Sequence, residues 1–180
     1  IEEFRRPEFE VKTTASEGTH FLGSSAVFTV KAKYFAGGPL PDAPVTWAVR
    51  ASNGHFTPPN HGAFNFGSWT SWWGRSHSRT RGRSTQRHSG KTNVLGLHRL
   101  KTHFKKMNPP RAMSIRAEAT VLDVNRQRWT SASSVLMHPA RYYVGLKAER
   151  SFVGRGEPME IDAVIADIDG KRIVGSAIKM

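Results

Sequence analysis

A chain of 180 residues with 38% hydrophobic and 23% charged content can build a packed core and suits one domain, or one domain and part of another. That composition excludes a disordered chain, no apolar run approaches the roughly 18 to 20 residues of a membrane span, and the lack of cysteine removes disulfides, Cys-ligated zinc and thiol chemistry. The net charge of +13 is uneven: 13 basic and no acidic residues lie between Ala43 and Ala117, leaving 14 basic against 14 acidic residues elsewhere. The excess reads as one basic region, such as a single insertion, on a neutral scaffold.

The chain opens on IEEFRRPEF with no basic-then-apolar leader. Beginning without an initiator methionine, it is expected to be an excerpt whose targeting signals lie elsewhere. The absence of an Asn-x-Ser/Thr site disfavours a eukaryotic secreted protein. FEV, from Phe9 to Val11, reads as a short strand. In AVFTVKAKY, Phe28, Val30, Ala32 and Tyr34 share one face and Thr29, Lys31 and Lys33 the other, which predicts a half-buried strand. AGGPLPDAP is a turn by its glycines and prolines. VTWAV then turns Val45, Trp47 and Val49 inward.

LHRLKTHFKKM is ambiguous. Leu97, Leu100, Phe104 and Met107 fit a basic amphipathic helix, while His98, Leu100, Thr102 and Phe104 alternate equally well as a strand. Its strand neighbours favour the strand. SIRAEATVLDV places Ile115, Ala117, Ala119 and Val121 on one face. RWTSASSVLM, with Trp129, Val135 and Met137, reads as its antiparallel partner, joined by a turn at Asn125-Arg126-Gln127. Several strands, turn signals and no strong helix predict an antiparallel β-sandwich of immunoglobulin-like type. Phe28, Tyr34, Trp47 and Trp129 are expected in its core.

An internal repeat follows. Phe21, Gly23, Phe28, Val30, Ala32 and Tyr34 recur at a constant offset of 131 as Phe152, Gly154, Met159, Ile161, Ala163 and Ile165. The expected organisation is therefore one sandwich over residues 1–140, with a long basic loop at about 53–93, and the N-terminal strands of a second, truncated sandwich over 141–180. MHPARYY, Met137 to Tyr143, is the junction. A chain ending partway through a repeat is expected to come from a longer tandem array.

FRRPEFEV, YFAGGPLPDAPVTW, FGSWTSWW, DVNRQRW and HPARYYVGL, in this order, resemble the macroglobulin-like domains of bacterial alpha-2-macroglobulins. The resemblance covers nearly the whole chain and weakens from about Arg75 to Lys91. It implies sandwiches of about seven strands in a long row. It also implies a parent that traps proteases: cleavage of a bait region rearranges the array, and in many members a thioester captures the attacker. The Cys-Gly-Glu-Gln thioester motif cannot lie in a stretch without cysteine. The resemblance makes LHRLKTHF a strand, and the parent periplasmic, cell-surface or secreted.

The candidate interaction loop comprises Trp69, Trp72, Trp73, Arg75, Arg79, Arg81, Arg83 and Arg87. Tryptophans beside arginines suit single-stranded nucleic acid, by stacking and charge. A surface insertion with the tryptophans folded against a sheet edge explains the same residues more simply, and no RNA-binding motif accompanies them. SGKT, Ser89 to Thr92, ends like a phosphate-binding loop, but Thr85 stands where its first glycine is needed. DIDGK, Asp167 to Lys171, starts like a calcium loop, lacks later ligands, and reads better as a hairpin turn. The histidines show no ligand spacing. His98 and His103, as strand residues, point to opposite faces.

No catalytic constellation emerges, so the expectation is a non-enzyme without cofactor or metal. Its partners are neighbouring domains of its own chain and, through the full-length parent, proteases. Two alternatives remain: an immunoglobulin-like repeat of a bacterial adhesin, and a polyanion-binding module acting through the Arg-rich loop.

Overall fold

The structure, a computed structural model, describes residues 8–67, 85–150 and 152–175. Eleven strands and no helix are present among them. They are β1 (Phe9–Ala15), β2 (His20–Phe21), β3 (Ser25–Tyr34), β4 (Pro44–Asn53), β5 (Asn65–Phe66), β6 (Thr85–Lys91), β7 (Leu97–His103), β8 (Met113–Leu122), β9 (Arg128–His138), β10 (Tyr142–Ala148) and β11 (Ile161–Asp167).

Two sheets face one another, one ordered β1-β3-β7 and the other β2-β9-β8-β4-β6. All pairings are antiparallel except the short β2–β9 contact. Alternating side chains fill the space between the sheets. Phe9, Phe28, Val30 and Ala32 come from the first sheet; Val45, Trp47, Ile115, Ala117 and Val121 come from the second; all are almost wholly buried. The expected all-β sandwich is therefore present, and its inward residues are those the period-two pattern picks out.

Trp47 sits at the centre, 0% exposed. Its indole Nε1–H donates to His98 Nδ1 at 3.0 Å. His98 belongs to the opposite sheet, so this bond crosses the sandwich. Gly90 makes room for it, because any Cβ there would run into the His98 imidazole. Burial lowers the His98 pKa below its usual value, which keeps the ring neutral and its Nδ1 free to accept. LHRLKTHF is the strand β7, with His98, Leu100 and Thr102 directed to the core side. Long-range pairing with β3 from Ser25↔His103 to Lys31↔Leu97 decides between helix and strand there.

Two expectations need correction. The loop placed at about 53–93 is shorter at its end, because Thr85–Lys91 is an edge strand paired with β4 from Pro44↔Lys91 to Arg50↔Thr85. Its stability comes from the backbone ladder, so no apolar alternation announces it. Trp129 faces the core side opposite Val121 but is 41% exposed. It lies at the mouth of the sandwich, beside the Asp123–Gln127 turn in which Arg126 has φ 62°. In β11, Ile161 and Ala163, the repeat partners of Val30 and Ala32, are exposed, while Val164 and Ala166 are buried.

A third sheet, ordered β11-β10-β5, follows the sandwich. Its β5 comes from the segment between β4 and β6, with Gly145↔Phe66 and Leu146↔Asn65 in register.

Candidate functional site

Of the predicted loop residues, Trp69, Trp72, Trp73, Arg75, Arg79, Arg81 and Arg83 lie outside the described residues. Arg87 stands exposed on β6, opposite Ala48. What the structure brings together instead is a joint between the sandwich and the β10–β11 hairpin. Two contacts build it.

The first is polar and aromatic. His138, the last residue of β9, is buried, and its Nδ1 lies 2.7 Å from the Tyr143 hydroxyl. Phe56 packs edge-on to His138 with centroids 4.6 Å apart, and meets Tyr143 at 5.0 Å. The His138 carbonyl accepts from Leu22 N–H at 2.9 Å, tying the joint to β2. Burial, and then the charge of nearby His20, lowers the His138 pKa; burial pushes the Tyr143 phenol up to about 12. Both groups are therefore held neutral, and the bond between them is a neutral one.

The second contact is the segment 54–67 laid against the hairpin. His61, 3% exposed, donates through Nε2–H to the Gly170 carbonyl at 2.9 Å. That bond selects the tautomer and leaves His61 Nδ1 buried without a partner among the described residues. Gly170, at φ +86°, sits so close to the Pro59 carbonyl oxygen that a Cβ would collide with it. Phe66 covers Gly145 in the same way. A cleft of about 490 Å³ runs along the joint, lined by Phe56, Phe66, Arg111, Pro139 and Tyr143 among others.

The chemistry available here is limited. Ser16 Oγ and His20 Nε2 lie 2.8 Å apart, a spacing that suits a nucleophile and its base. Ser16 Oγ, however, also accepts from Val27 N–H, and no carboxylate hydrogen-bonds His20 among the described residues. No group of three His, Asp or Glu with metal-binding geometry occurs among the described residues. SGKT lies largely on β6, without the helix a phosphate loop requires. In DIDGK the Asp167 Oδ1 accepts from the Asp169 and Lys171 amides at 3.0 and 2.8 Å, so it is committed to its own hairpin.

The junction read from MHPARYY contains His138 and Tyr143 and is the sequence signal for both; sequence reasoning missed His61. His61 carried none, because its partner is a backbone carbonyl far along the chain.

The two-sheet order and the hairpin behind it define a macroglobulin-like β-sandwich segment. In particular, the fold is shared with a segment of the bacterial alpha-2-macroglobulins. The chain superposes on native Escherichia coli alpha-2-macroglobulin with a TM-score of 0.67 at 12% identity, over 94% of this chain and 11% of that one. In sequence it is 21% identical over 181 residues to an alpha-2-macroglobulin homolog of Nostoc sp., covering 100% of this chain and 9% of that protein. It is 34% identical over 154 residues to circularly permutated Ras protein 2 of Dictyostelium discoideum, covering 82% of this chain and 4% of that protein. The chain thus spans less than a tenth of either relative's length. No family model matches it.

Proposed function

We propose that this chain is a structural segment of a bacterial alpha-2-macroglobulin-like, protease-trapping inhibitor, with no chemistry of its own. The observation that carries this reading is the superposition over 94% of the chain, sandwich and following hairpin together. Residues 1–140 then form one macroglobulin-like domain and 141–180 the opening strands of the next. The hairpin supports that division. Tyr142, Val144 and Leu146 of β10 and Ile161 of β11 expose one apolar sheet face, each between 38% and 52% accessible. A face of this kind is half of a sandwich core, and the remaining strands of a second domain would cover it.

The segment's work would be mechanical. It spaces an array of domains, and the joint at His138, Tyr143, His61 and Gly170 transmits rearrangement after bait cleavage. Its partners are neighbouring domains and, through the parent, proteases. The parent would be periplasmic, cell-surface or secreted.

The test is elastase treatment of the longer protein. The expected result is cleavage outside the strands of this segment, with elastase retained by the cleaved protein on gel filtration. Elastase eluting free after the parent is cut would refute the trapping role.

A further inference from the structure

The outer face of the β1-β3-β7 sheet collects positive charge that the linear sequence scatters. Alternation sends Glu10, Lys12 and Thr14 of β1, Thr29, Lys31 and Lys33 of β3, and Leu97, Arg99 and Lys101 of β7 to the side away from the core. Lys12, Lys31, Lys33, Arg99 and Lys101 are all exposed. Register makes them neighbours. Lys12 stands directly opposite Lys31, Arg99 opposite Thr29, and Lys101 opposite Val27. Glu10 is the one acidic residue among the outward residues of these three strands, and it is engaged with Lys33 at 2.8 Å. Like charges placed directly across a ladder destabilise a sheet, so the Lys12–Lys31 pair has no internal reason to persist.

Spacing and shape suit an extended polymer. Residues two apart on one strand lie about 6.7 Å from each other, and neighbouring strands about 4.8 Å. The cations therefore form a lattice along and across the sheet. A groove of about 440 Å³, lined by Glu10, Lys12, Thr14, Thr29, Lys31, Lys33 and Leu97, runs along it. The threonine hydroxyls add hydrogen-bond donors. No Phe, Tyr or Trp stands among the outward residues of these three strands. Single-stranded nucleic acid is usually held by aromatic stacking as well as charge, so this face lacks half of what that ligand uses.

We propose that the outer face of the β1-β3-β7 sheet binds a linear sulfated polysaccharide, through Lys12, Lys31, Lys33, Arg99 and Lys101. This surface draws on none of residues 69–92 and does not depend on the protease-trap reading.

The experiment measures binding of a size-defined heparin oligosaccharide against salt concentration. Replacing Lys12, Lys31, Arg99 and Lys101 together by Ser is expected to weaken binding about tenfold or more, and to flatten the dependence on log salt. Replacing Arg50, Arg87, Arg116 and Arg128 by Ser removes the same charge from the other sheet. That control and deletion of residues 75–83 are each expected to change affinity less than about threefold. A footprint on the unaltered protein gives an independent reading: bound oligosaccharide should protect Lys12, Lys31, Lys33 and Lys101 from acetylation, and leave Lys91 and Lys171 reactive. Equal loss in the control variant, or protection centred on Lys91 or Lys171, overturns the proposal. Tighter binding of an equally charged single-stranded oligonucleotide overturns the assignment to a glycan.

Discussion

Replacing Trp47 with Ala probes the centre of the sandwich. The side chain is 0% exposed and packs in one cluster with Val45, Val49 and Ala119. Truncating a buried Trp removes its transfer free energy and leaves a cavity, together about 3–5 kcal/mol. The substitution also takes away the donor to His98 Nδ1, held at 3.0 Å. A hydrogen bond of this kind contributes about 0.5–1.5 kcal/mol. Single domains are stable by only about 5–15 kcal/mol, so the variant should lose about a fifth of its margin or more. Trp47→Phe separates the two effects, since it keeps most of the volume and deletes the bond. The assay is urea unfolding followed by far-UV circular dichroism, because Trp69, Trp72, Trp73 and Trp129 would confuse fluorescence. A loss below about 0.5 kcal/mol, the range of surface substitutions, would refute the placement of Trp47 in the core and of His98 above it.

Trp129→Ala should cost about 1 kcal/mol or less, because the ring is 41% exposed; a cost equal to that of Trp47→Ala would place it in the core after all. Gly170→Ala forces a side chain into positive φ and onto the Pro59 carbonyl, at a local cost of about 1–3 kcal/mol. Amide exchange at Phe66 and Gly145 should quicken while β4 and β8 stay protected; unchanged exchange would show that the joint is not held there. Acidification should lower Tm. His98 and His138 both have folded pKa values below the usual 6.5, so the folded state binds fewer protons than the unfolded one. Their contribution is complete above about pH 6.5 and is lost as pH falls through the lowered folded values. A Tm that holds or rises from pH 7 to pH 5 would contradict this, and a variant with Gln at both positions should show a shallower fall.

The inward faces of β3, β4 and β8 were legible because a half-buried strand writes its burial into its side chains. Phe28, Val30, Trp47 and Ile115 needed no partner to be recognised. β7 was legible only by preference, since helix and strand patterns overlapped until pairing with β3 decided between them. β6 was illegible. TQRHSGK has no apolar side chain, and its place depends on backbone hydrogen bonds to β4. Trp129 shows a different limit: alternation gives the face a residue occupies, not its distance from the sandwich mouth. The basic sheet face was hidden for a further reason. Lys12, Lys31 and Lys33 fall in the stretch that charge counting makes neutral, and only strand register sets them beside Arg99 and Lys101.

Strand β5 is two residues long, yet it changes what counts as a severable piece. Phe66 and Asn65 leave the sandwich to complete a sheet begun by β10 and β11. Cutting the chain after Ala140, where the sequence repeat invites it, would orphan a strand on one side and expose a sheet edge on the other. A transplant that respects this protein's architecture must carry residues 54–67 and the β10–β11 hairpin together. Recombination that moves one without the other inherits an open ladder.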